Sequence, residues 1–151
     1  FTYAVGRLML GSPRPGYVDD QGTVLETGRF RYLAIANPEL APYGRAAREV
    51  LESRGLWNAL QGRLVRGENI GQAFQFVNSG NAELGFLAYA QIRRPGHAVA
   101  GSGWLVPQSL HAPIAQQAVL LKHHDAARAF LLFLRSETAT EILRGFGYGK
   151  P

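Results

Sequence analysis

The 151 residues contain no cysteine. That excludes disulfides, thiol catalysis and zinc–thiolate sites. It is compatible with export without showing it. Lysine is scarce as well, with two against 14 arginines. The arginines are spread along the chain and no run of four basic residues occurs. No nucleic-acid arm is visible, and no nucleic-acid partner is expected. The net charge of +5 gives a mild positive field, which suits anionic ligands and equally suits plain solubility. No apolar run reaches the length of a membrane span. Phe1 is preceded by neither a start methionine nor a basic stretch, so no signal peptide is read. The expectation is a mature protein or a piece of a longer one.

Recognisable catalytic chemistry is sparse too. His97, His111, His123 and His124 lack the spacing of a metal-binding pattern such as HExxH. Ser102 in "GSG" lacks the flanks of a nucleophile elbow. Asp19 and Asp20 form an acidic pair in a turn. No nucleophile stands near a base in any known pattern, so a binding protein is expected rather than an enzyme, with no metal and no cofactor.

What is present is a globular chain. Hydrophobic residues make up 46% and charged residues 18%, enough apolar material for one compact core. "AVGRLML" (4–10) reads as a strand, and "SPRPG" (12–16) as a turn. A short helix is expected over 21–27. "YLAIA" (32–36) and "LGFLA" (84–88) are apolar throughout and read as buried strands. Ala46, Ala47, Val50 and Leu51 recur at helical spacing and predict a helix over 43–54, stopped by Gly55. A further helical turn is expected over 56–60, and a short strand over 63–65. Ile70, Ala73, Phe74 and Val77 fall at i, i+3, i+4, i+7 and mark a second amphipathic helix. Strands are expected at "WLV" (104–106) and "AVLL" (118–121). Two apolar-faced helices follow, over 127–134 and 137–146. Strands alternating with helices predict an α/β fold with a largely parallel sheet.

Two helix entrances stand out. The strand "YLAIA" leads through "NPELAPYG" into the first long helix, and the strand near "RLV" leads through "RGENI" into the second. In open α/β sheets, ligands gather where strands end and helices begin. A helix start carries free N–H groups and a positive dipole end, and two side by side can hold a small anion without a charged side chain. Ala41-Pro42-Tyr43-Gly44 supplies no capping side chain. The competing reading is an ordinary start satisfied by water or a local cap, with Glu39, Glu68 or Asn69 in that role.

The stretches "LAIANPELAPYGRAAREVLESRGLWNAL", "LVRGENIGQAFQFVNSGNAELGFLA", "GSGWLVPQSLHAPI" and "AARAFLLFLRSETATEILRGFGY" together resemble the periplasmic molybdate-binding proteins of ABC uptake systems. The resemblance covers nearly the whole chain, and "NPELAPYG" and "GENI" are its most specific parts. It implies a type II periplasmic-binding-protein fold, with two α/β lobes joined by two crossover strands and an oxyanion held between them by neutral donors. It implies molybdate or tungstate as ligand, an ABC permease as partner and a periplasmic location. By the same resemblance, the backbone N–H of Tyr43, with its hydroxyl in some members, and the backbone N–H of Ile70 are ligands. Some members add a tyrosine from the end of the "LGFLA" strand; here that position is Ala88. Residues 1–121 would form the second lobe with crossover strands at about 4–10 and 116–121. Residues 122–151 would be C-terminal helices that complete the first lobe, whose N-terminal portion is expected to be missing. Phe130, Leu131, Leu134, Ile142 and Leu143 would then lack their usual partner. Self-association, a swap of elements or an unusual placing of the tail is therefore expected. The alternatives are a sulfate-type oxyanion binder and an anion-binding sensor module without a transport role.

Overall fold

A computed structural model describes residues 1–151. Two sheets organise it. A five-stranded sheet has the order β4-β3-β5-β2-β6, formed by β2 (Leu8–Ser12), β3 (Leu33–Ala36), β4 (Leu64–Gly67), β5 (Leu84–Ala88) and β6 (Ser102–Leu105). β3 pairs in parallel with β4 and β5, whereas β2 runs antiparallel to β5 and β6. Only β2 therefore opposes the common direction, as expected of a mixed, mostly parallel sheet. A separate two-stranded antiparallel ribbon joins β1 (Thr2–Gly6) to β7 (Ile114–Gln117).

Helices cover both faces because the central strands are apolar throughout and successive side chains point to opposite faces. Leu33 and Ile35 of β3, Leu84 and Phe86 of β5, and Leu8 and Leu10 of β2 share a core with Ala46, Ala47, Val50 and Leu51 of α2 (Pro42–Ser53). Ala34 and Leu87 point the other way and pack on Ala73 and Val77 of α4 (Ile70–Asn78). Phe86, Leu10 and Ile35 are wholly buried; each such side chain contributes about 1.5–3 kcal/mol relative to exposure. Gly85 keeps α4 close: a Cβ there would lie 2.7 Å from Val77 Cγ2. Short helices α1 (Val24–Thr27), α3 (Trp57–Leu60) and α5 (Tyr89–Ile92) fill the connections.

The structure departs from the sequence reading in two places. "AVGRLML" is two strands, broken at Arg7, because the chain leaves the ribbon and joins the large sheet there. The strand expected at 118–121, part of the span 116–121, lies earlier, at Ile114–Gln117. Val119 and Leu121 are exposed and meet no strand, although Ala118 N–H still reaches the Phe1 carbonyl at 2.9 Å.

The tail forms α6 (Asp125–Leu134) and α7 (Glu137–Gly145). It is tied back by Gly149, whose N–H and C=O bond Val5 of β1 at 2.8 and 2.9 Å. α6 has no buried residue and α7 has one, Ala139. Phe130 and Ile142 are exposed, whereas Leu131, Leu134 and Leu143 are half-buried.

Candidate oxyanion site at two helix entrances

The α2 entrance starts where β3 ends at Ala36. The Asn37 carbonyl accepts from the N–H groups of Leu40 (3.1 Å) and Ala41 (2.9 Å), and the Asn37 side chain accepts from Glu39 N–H (3.0 Å). These bonds turn the chain before Ala41, which is extended and offers no side-chain cap. Pro42 has no N–H, and its fixed φ suits a first helical position. The Ala41 carbonyl accepts from Arg45 at 3.0 Å. The N–H groups of Tyr43 and Gly44 are left without an acceptor in the chain. Gly44 is required here by sterics. A Cβ would collide with the Ala36 carbonyl oxygen and lie 2.7 Å from the carbonyl carbons of Ala36 and Asn37. Its absence lets the first turn of α2 press onto the end of β3.

The α4 entrance follows β4. Asn69 is extended, and its side chain accepts from Gln72 N–H at 3.0 Å. Gln72 in turn accepts from Glu68 N–H through its own side-chain oxygen at 2.7 Å. Asn69 is therefore a local cap, as the competing sequence reading allowed, but it satisfies only one of the four starting N–H groups. The Asn69 carbonyl takes Ala73 N–H at 3.2 Å, while Ile70 and Gly71 N–H remain without an acceptor. Glu39 does not cap α2; its carboxylate lies 3.4 Å from the Arg48 guanidinium.

Strand pairing brings the two entrances together. β3 and β4 are neighbours, Ala36 lies opposite Gly67, and Asn37 N–H bonds the Gly67 carbonyl at 2.6 Å. α2 leaves on one face and α4 on the other, which makes this edge the switch point of the sheet. Gln91 braces it. Its side-chain oxygen accepts from Ala88 N–H at 3.1 Å and its amide nitrogen donates to the Ile70 carbonyl at 3.3 Å. The end of β5 is thereby tied to the first turn of α4. Gly44, Gly71 and Gln91 carry no signal in the sequence that marks them for this edge, apart from the two glycines falling in first helical turns.

Tyr43 has a second donor. Its side chain is buried in the larger core, and its hydroxyl lies against Gly6 of β1 with no hydrogen-bond partner in the chain. Burial, with smaller contributions from Tyr148 and Tyr3, pushes the phenol far above the usual tyrosine range. The hydroxyl therefore keeps its proton and stays a donor at neutral pH. Tyr89, beside Ala88, is turned elsewhere. Its N–H bonds the Arg7 carbonyl at 2.8 Å and its hydroxyl accepts from Arg93 at 3.2 Å. The two entrances thus offer four backbone N–H groups, and Tyr43 carries a neutral hydroxyl besides; donors without acceptors suit a small acceptor-only anion.

Residues 1–149 match the model of the bacterial extracellular solute-binding proteins. The chain belongs to that family. It is 52% identical over 152 residues to the molybdate-binding protein ModA of Azotobacter vinelandii, a match covering 99% of this chain and 60% of that one. It is 49% identical to the molybdate-binding protein ModA of Rhodobacter capsulatus, covering 98% of this chain and 58% of that one. The chain therefore spans about 60% of the length of these relatives. The solved periplasmic molybdate-binding protein of Azotobacter vinelandii superposes on all of this chain and on 68% of its own, with a TM-score of 0.94 and 42% identity. Superposition over the whole chain gives no support to an unusually placed tail. Nothing in the fold or in these relatives supports self-association or a swap of elements.

Proposed function

We propose that this chain is the ligand-binding part of an ABC importer's substrate-binding component, taking molybdate or tungstate in the periplasm and handing it to the permease. The observation that carries this reading is the pair of entrances with free N–H groups, those of Tyr43 and Gly44 on one and of Ile70 and Gly71 on the other. The names of the relatives, molybdate-binding proteins, supply the ligand class. In this reading Tyr43 contributes its N–H and its hydroxyl, and Ile70 contributes its N–H. No helix is long and apolar enough to cross a membrane.

The chemistry favours a fully ionised tetrahedral oxyanion. Such an anion only accepts hydrogen bonds, and this edge only donates. Phosphate keeps a proton near neutral pH and calls for an acceptor in the site. Sulfate is acceptor-only but smaller, so cavity size discriminates against it. The β1–β7 ribbon is assigned the role of the lobe connection, with residues 1–121 in one lobe and 122–151 completing the other. Closure about the ribbon would secure the anion.

Calorimetric titration with molybdate, tungstate, sulfate and phosphate tests the reading. Saturable heat with molybdate and tungstate, at least about tenfold weaker binding of sulfate and none of phosphate are expected; a factor of ten corresponds to about 1.4 kcal/mol. Equal affinity for sulfate, or no saturable binding of any anion, overturns it.

A further inference from the structure

We propose that Gly6, on the β1–β7 ribbon, is the positioning residue for the Tyr43 hydroxyl. The proposal rests on the reading of Tyr43 as an anion ligand. Gly6 has ordinary backbone angles, so no positive φ demands glycine there. The demand comes from space. A Cβ at Gly6 would collide with the Tyr43 hydroxyl oxygen and sit 2.9 Å from Tyr43 Cζ and 3.2 Å from Ile114 Cγ2. Glycine opens a notch in the ribbon, Ile114 of β7 forms its other wall, and the phenol is seated in it.

The seat is held by the ribbon pairing and by the tail. β1 and β7 pair in register through Gly6 and Ile114. The tail is clamped one residue away, where Val5 and Gly149 exchange two backbone bonds. That clamp also fixes Tyr148, the residue just before Gly149. The ring has an apolar berth and the hydroxyl has no internal acceptor. Its direction is therefore set by fit against Gly6 rather than by a hydrogen bond. A methyl group at Gly6 turns the phenol out of its seat, whereas the N–H groups of Tyr43 and Ile70, fixed by the helix starts, stay in place.

The experiment uses Gly6→Ala, Tyr43→Phe and wild type, with two readouts. Absorbance-monitored alkaline titration counts phenols without any anion. Tyr43 should be the phenol that resists ionisation most in wild type, and Tyr43→Phe should lose that last step. In Gly6→Ala, that step should move to lower pH. In the molybdate titration, Gly6→Ala should lose about tenfold or more in affinity, the same factor as Tyr43→Phe, since one hydrogen bond to a charged ligand is forfeited in each. An unchanged phenol titration in Gly6→Ala, or unchanged molybdate affinity beside a weakened Tyr43→Phe, overturns the proposal. If Gly6→Ala does not fold, Gly6→Ala/Tyr43→Ala is compared with Tyr43→Ala alone, and the two should be equally stable because the collision is gone from both. A double variant that is unfolded where Tyr43→Ala folds shows that Gly6 acts through another contact and overturns the seat. A wild type that binds no anion but shows the expected phenol shift refutes the transport reading and leaves the seat standing.

Discussion

At the scale of single residues, the site consists of what side chains leave uncovered. In the proposed reading, Tyr43, Gly44, Ile70 and Gly71 contribute N–H groups, so their substitution tests geometry more than chemistry. Gly44→Ala places a methyl group on the Ala36 carbonyl. It should destabilise the fold by about 1–3 kcal/mol, the usual cost of forcing extra volume into a packed place. Urea unfolding measures this, and molybdate binding should weaken with it. Tyr43→Phe keeps the ring and removes the hydroxyl. Affinity should fall about tenfold or more while the urea midpoint moves little, because the hydroxyl has no internal partner to lose. The phenols also give a pH signature. Burial is the main cause raising Tyr17, Tyr43 and Tyr148 above their ordinary value of 10.0. Their folded-state proton affinity exceeds that of the unfolded chain, so their contribution to stability is complete below about pH 10 and falls as pH rises beyond it. Urea midpoints at pH 8 and pH 11 should show the loss, and Tyr43→Phe should show less of it.

At the scale of elements, the two entrances differ in how they are held. α4 has a side-chain cap and α2 has none. Asn69→Ala should cost about 1 kcal/mol by thermal or urea unfolding. It should loosen the turn that presents Ile70 N–H, so anion affinity should fall as well. Most elements were legible in the sequence for physical reasons. β3 and β5 are buried on both faces and read as continuous apolar runs, while α2 and α4 show helical spacing because each buries one stripe. The break at Arg7 was not legible. The apolar residues continue through it, and only pairing with two different sheets separates β1 from β2. β7 misled for the opposite reason: Val119 and Leu121 look like strand residues yet face solvent, whereas Ile114–Gln117, richer in polar residues, is held by the partner strand β1. The α2 entrance was legible as a missing cap. The α4 entrance was legible from its strand-to-helix turn, with Asn69 as the competing cap; Asn69 does cap, but only one N–H. Neither Gly6 nor Gln91 carried a signal, since each matters through a neighbour more than 20 residues away.

At the scale of the whole molecule, the sheet places both entrances on one edge and the ribbon beside one of them. The larger core binds α2 to strands of the large sheet and to Ile114 of the ribbon, so the α2 entrance and the ribbon form one packed unit. In the functional reading, that unit is where lobe movement and anion contact meet. Titration of the isotope-labelled chain with molybdate, followed by amide proton–nitrogen correlation spectra, tests this most directly, since it reads each N–H and tolerates weak binding. The account predicts that the amides of Tyr43, Gly44, Ile70 and Gly71 shift together and saturate at one concentration, with sulfate far less effective. Saturable shifts centred elsewhere, with these four amides unmoved, would contradict it.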